Sequence, residues 1–278
     1  MCVVALFTGL SAVLLTHPHQ RVVRLVAMIS SVVLLCAGSM WCMPSKVVAQ
    51  CNLFMFLKEV LYVQLPGPLD YFYTADETCI SDGPHFSYTF YSTVTTIIGY
   101  GAGALGVACF HQFLSKRPFI TVFCMTTILK IVASVFDILI AKRVPTMLLG
   151  VSDHLVYFFG DAVVFGAVSM IDFMPAVILI SRLCPAGMEG TMYAILAGFS
   201  NFGMALSNVL GTLLVEFWFP IVAVVKRDGP PCDFSQLPAL LFVGHFALPL
   251  FILPLAYFLL PTSNICDPLI DKEEEREF

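Results

Sequence analysis

The stretch 172-DFMPAVILISRLCPAGMEG-190 sets nearly pure hydrocarbon against a few placed polar groups. Asp172 opens it, Pro175 follows within the first turn, and Arg182, Pro185, Gly187 and Glu189 crowd its end. The apolar middle reads as a helix in lipid. An acid at depth is costly there, and a proline removes a backbone donor and can bend the helix. The segment from Leu183 to Gly190 reads as a tight turn at the membrane surface, flanked by Arg182 and Glu189. Those two charges are close enough in sequence to pair across adjacent helix ends and hold a gate. A kinked helix with acids at depth is a device of moving or binding helices.

Composition extends this reading to the whole chain. Its 278 residues are 59% hydrophobic and 12% charged, with a mean hydropathy of +0.89. A soluble domain carries about 25% charged residues, so the solvent of most of this chain is lipid. The net charge of −5 is mild, and the closing "DKEEEREF" supplies −3 of it as a solvated end. No basic run points to nucleic acid.

Eight apolar segments follow from the hydropathy pattern, at about 2–15, 22–43, 47–65, 86–110, 119–141, 151–181, 188–219 and 238–260. About 20 apolar residues cross a bilayer. The first segment falls short and has no signal-peptide features, so we read it as the end of a spanning helix. Alternation of the β-barrel kind is absent, and backbone groups in lipid must be bonded within the segment, so the spans are helices. In the longest connector, "PGPLDYFYTADETCISDGPH", Tyr71, Phe72 and Tyr73 suit the headgroup layer. Lysine and arginine counts divide evenly between the two sides and set no orientation.

Charges inside the spans carry the functional signal. Each costs about 2.5–3.5 kcal/mol at mid-bilayer on insertion scales, so each needs a partner or a cavity. Lys130 and Asp137 share one helix face, as do Asp161 and Asp172, eleven residues apart. These four are expected to line a cavity or meet charges on other helices. Asp153 in "GVSD" reads instead as a helix N-cap near the interface. Lys58 and Glu59 fit either reading. Asn201 and Asn208 also share a face, where their amides would bond between helices or face a substrate path. In "GYGAGALG", Gly99 and Gly103, and Ala102 and Gly106, have the small-residue spacing of close helix packing.

The ten cysteines show no metal-ligand spacing, and those in spans, such as Cys36, Cys109 and Cys124, behave as small hydrophobes. Cys79 and Cys232 lie in long loops on one side of the membrane. Spatial proximity decides whether they form a bridge.

The run "FMPAVILISRLCPAGMEGTMYAILAGFSNFG" resembles the signature region of the folate–biopterin transporter family, within the major facilitator superfamily. "LFMFL", "YFYTADE", "LGVSD" and the "LP" after the last span agree in order, so the resemblance runs from about Leu53 to Pro261. It implies an all-α, multi-pass bundle in which residues 44–262 are the C-terminal six-helix half of a major-facilitator fold. Residues 1–43 would then be a partial fifth helix and the sixth, with four helices and part of the fifth missing. Residues 263–278 would be an acidic cytosolic tail, and loop "HQFLSKRP" would also be cytosolic.

The implied activity is transport of folate, biopterin or a related pteridine by alternating access, coupled to protons, at the plasma membrane. Neither a cofactor nor an enzymatic reaction is implied. Lys130 would attract the substrate's carboxylates, while Asp161 and Asp172 would hold a proton or bond the pterin ring. Asp137, Asn201 and Asn208 complete the candidate set, with Pro175, Arg182 and Glu189 as structural or gating residues. Two other readings stand beside this one: a multi-helix receptor or channel, and an inactive transporter fragment. A single half offers no opposing wall for a midplane site.

Overall fold

The computed structural model describes residues 45–184, 189–223 and 232–265, with Gly187 and scattered positions between 30 and 43. Most of the helical segments expected within 1–43, and the tail beyond Ile265, lie outside the described residues. The described chain is helical, with isolated β-bridges at Pro118–Asn264 and Val222–Asp233.

Helix α1 is Lys46–Leu61 and α2 is Pro66–Thr74. Then come α3, Thr89–Phe113; α4, Phe119–Ala141; a short α5, Val144–Leu149; α6, Asp153–Arg182; α7, Glu189–Phe217; and α8, Leu237–Leu259. Helices α3, α4, α6, α7 and α8 are each long and apolar enough to cross a membrane, and α1 is shorter at 16 residues. Large apolar side chains such as Tyr100, Leu105, Phe173 and Phe258 are exposed along them, the surface of a bundle that faces lipid. This is a multi-pass membrane protein.

Small residues set the packing. Helix α3 lies along α6, and α1 lies along α7. A Cβ at Gly106 would clash with the Ala167 carbonyl, and one at Gly211 with the Gln64 carbonyl. The spacing seen in "GYGAGALG" therefore serves helix contact, as expected.

Three expectations fail. Phe72 and Tyr73 do not sit in a headgroup belt. Helix α2 turns both into the core, where the Tyr73 hydroxyl finds a buried carboxylate, and Tyr71 alone stays exposed. Asp153 is not the N-cap, a position held by Ser152. Asp153 is buried and paired with Arg143, whose other nitrogen reaches Asp82 at 3.2 Å. The third concerns segment 47–65, which is not one continuous span. Its helix ends at Leu61, and Tyr62 is extended, with φ −94° and ψ 90°. Pro66 excludes the preceding residue from helical backbone, and it also starts α2.

On the same side as α2, Cys79 and Cys232 form a disulfide, 153 residues apart in sequence and 5.1 Å between Cα atoms. It ties the α2–α3 loop to the α7–α8 loop.

Candidate functional site

Two polar layers cross the bundle, both built on α4 and α6. Connectivity makes these helices antiparallel. Thr126 of α4 meets Asp172 of α6, its hydroxyl donating to Oδ1 at 2.9 Å. Eleven residues along each helix, Asp137 lies within electrostatic reach of Asp161. Eleven helical residues rise about 16 Å, so the layers sit roughly half a membrane core apart.

The first layer centres on Asp172. Lys58 Nζ donates to Asp172 Oδ2 at 2.8 Å, and Lys130 Nζ approaches the same oxygen at 3.5 Å. Lys58 also reaches Glu59 at 3.4 Å. Lys58 and Asp172 are buried, so each would be prohibitively costly alone. Lys130 sits over the Tyr62 ring, 4.0 Å from its centroid, an arrangement that favours a cation. The Tyr62 hydroxyl is bonded to Ser134 at 2.7 Å, and the His245 ring stacks on Tyr62 with centroids 4.8 Å apart.

The break in α1 belongs to this layer. Irregular backbone at membrane depth is tolerated only where protein satisfies it. The Ser207 hydroxyl donates to the Tyr62 carbonyl at 2.7 Å and accepts from the Gln64 amide at 2.9 Å. The Val63 amide donates to Gly244, and its carbonyl accepts from His245 Nε2 at 2.9 Å. A carbonyl only accepts, so this bond places the His245 proton on Nε2. Helices α7 and α8 thus supply the partners that α1 gives up.

The second layer is acidic and aromatic. The Tyr73 hydroxyl donates to Asp137 Oδ1 at 2.5 Å, and Tyr157 lies beside Asp161. Tyr73, Tyr91 and Tyr157 pack against one another, and Tyr91 donates to Asp70 at 2.5 Å. Helix α6 is wound as a π-helix from Phe158 to Phe165, around Asp161. Such bulges recur at functional sites.

Among the sequence-predicted residues, Lys130 joins Asp172, and Asp137 joins Asp161. Asp172 meets cations on other helices, one of the two arrangements expected of an acid at depth, whereas Asp161 lies beside a tyrosine and a second acid. Pro175 is buried within α6, which stays helical through it; the irregular winding lies at 158–165 instead. Arg182 and Glu189 are exposed, and the ion pairs among the described residues do not include one between them. The Glu189 carboxylate takes backbone N–H groups of Gly187 and of its own residue, which removes the incentive to pair. Asn201 and Asn208 are exposed, and the Asn208 amide returns to the Met204 carbonyl of its own helix. The buried face of α7 carries Gly203, Ser207 and Gly211 instead.

Lys58, Tyr62, Thr126, Ser207 and His245 were absent from the expected site. Lys58 carried a legible signal, a lysine within "LFMFLKEVLYV". The uncharged residues carried none.

A family model described as the BT1 family matches residues 2–277. The chain belongs to the BT1 family. It is similar to a folate-biopterin transporter of Synechocystis sp., 27% identical over 177 residues, which is 63% of this chain and 32% of that protein. It is also similar to a probable folate-biopterin transporter 5 of Arabidopsis thaliana, 30% identical over 58% of this chain and 32% of that protein. A folate transporter 1 of Plasmodium falciparum is 26% identical over 41% of this chain and 22% of its own length. The match covers about a third of the length of curated relatives such as these. No solved structure matches. In this BT1-family chain, the charges of both layers lie between Lys58 and Asp172, inside the residues 2–277 that the family model matches.

Proposed function

We propose that this chain is the C-terminal six-helix half, residues 44–262, of a membrane transporter for folate, biopterin or a related pteridine. Residues 1–43 end a preceding half. The two halves work by alternating access, coupled to protons, at the plasma membrane. The observation that carries this reading is the Lys58–Asp172–Lys130 cluster beside the break at Tyr62–Leu65. Buried charge beside an interrupted helix is how secondary transporters build a site in mid-membrane. The relatives' names supply the substrate class. Within this reading, Lys130 draws the substrate's carboxylates and Asp161 carries the proton.

Uptake of labelled folate and biopterin tests it, in cells expressing residues 1–278 alone and in cells expressing a chimera with a relative's N-terminal half ahead of Ser45. Uptake by the chimera and none by the chain alone is the expected result. Uptake by the chain alone overturns the two-half arrangement. A surface-expressed chimera that moves no pteridine overturns the substrate class.

A further inference from the structure

A small cavity of about 10 Å³ lies at the first layer, lined by Lys58, Tyr62, Thr127, Lys130, Asp172 and Ile252. Its volume is on the scale of one bound water or one monatomic ion. Three observations favour an ion. The Thr127 hydroxyl is buried, with the residue 3% exposed, and has no hydrogen-bond partner among the described residues. A buried hydroxyl left in that state costs about 1–3 kcal/mol. Asp172 is oversubscribed: Oδ1 takes the Thr126 hydroxyl, and Oδ2 serves two ammonium groups, at 2.8 Å and 3.5 Å. Lys58 has a second carboxylate in Glu59, whereas the only carboxylate paired with Lys130 among the described residues is this shared and longer one. The cavity therefore joins an unpartnered hydroxyl to a cation whose one paired carboxylate among the described residues is shared with Lys58.

We infer that this cavity holds one negatively charged atom, a halide or one oxygen of a carboxylate, bound by the Thr127 hydroxyl and the Lys130 ammonium. The Thr127 hydroxyl could donate or accept, yet it is bonded to no described group, Lys130 included. An anion between them accepts from each and supplies the charge that Asp172 divides. The Tyr62 ring closes one side of Lys130, which also lines the cavity. The halide occupant rests on this geometry alone, whereas the carboxylate occupant rests on the role proposed above for Lys130; pteridine uptake by the chimera tests that role separately.

The test is thermal unfolding of the purified full chain in detergent, titrated with sodium bromide, with sodium acetate, and with sodium sulfate at matched ionic strength. The expected result is a saturable rise in Tm with bromide or acetate beyond the sulfate response. A rise with bromide alone identifies an inorganic halide. A rise with acetate identifies carboxylate recognition. Thr127→Val should weaken the midpoint at least tenfold, Thr127→Ser should retain it, and Lys130→Gln should abolish saturation. Responses to bromide and acetate that match sulfate in the wild-type protein overturn the inference and leave a water site. An unchanged bromide midpoint in folded Thr127→Val also overturns it. The wild-type arm decides the matter even where the variants fail to fold.

Discussion

Lys58 and Asp172 lie 114 residues apart and meet at 2.8 Å, both buried. Each charge makes the other tolerable. Asp172→Asn leaves two ammonium groups without their shared carboxylate and should destabilise the chain by about 3–5 kcal/mol. Adding Lys58→Met should recover part of that loss, because the pair is removed as a unit. Unfolding in detergent across the double-mutant cycle checks this. Strictly additive losses would show that the two charges do not support each other.

Asp161 sits in the π-wound turn of α6, beside Tyr157 and Asp137. If it carries the coupled proton, Asp161→Asn in the chimera should preserve substrate exchange and abolish accumulation driven by a pH gradient. Asparagine matches the protonated acid in shape and cannot ionise. Unchanged accumulation across the pH range would remove Asp161 from the coupling.

The Cys79–Cys232 bridge should leave neither thiol reactive toward a membrane-impermeant maleimide until a phosphine reductant is added. The exposed Asp76 carboxylate accepts from the Thr78 hydroxyl and the Cys79 amide, and these bonds hold it below the usual carboxylate range. A lowered folded value means its support is present above the ordinary carboxyl value and is lost as pH falls through the lowered one. Reduction should therefore quicken in Asp76→Asn at neutral pH. The wild-type rate should approach that of the variant only in acid. Equal rates at neutral pH would show that Asp76 does not brace the bridge.

Gly106 and Gly198 should respond in opposite ways. A side chain at Gly106 meets the Ala167 backbone, whereas nothing lies within 4 Å of one at Gly198. Gly106→Val should cost about 1–3 kcal/mol through overpacking, and Gly198→Ala should be neutral or stabilising by up to about 1 kcal/mol. Thermal unfolding of the two variants separates them. A tolerated valine at Gly106 would contradict the close α3–α6 contact.

The helices were legible in the sequence because lipid imposes a length and a composition on every span. The deep charges were legible for the same reason, since Lys130, Asp137, Asp161 and Asp172 interrupt otherwise apolar runs. Their partners were not. Helical periodicity tells which side chains share a face, but not which helix stands opposite, so the cross-helix pairing of Lys58 with Asp172 had no sequence signature. Polarity alone also did not tell that Asn201 and Asn208 are exposed, or that the Asn208 amide bonds its own helix. The break after Leu61 was hidden because Tyr62, Val63 and Leu65 continue the apolar run, while the serine and histidine that replace the lost bonds come from 143 and 182 residues away.

The matched eleven-residue spacing on α4 and α6 makes those two helices a ladder with two rungs. Sliding one past the other by a single turn would strand the Thr126–Asp172 rung and misalign Asp137 with Asp161 in the same movement. Neither rung can yield alone. Within the proposed transport cycle the pair would travel as one strut, and bending would fall to the end of α1, whose interrupted backbone rests on its neighbours' side chains.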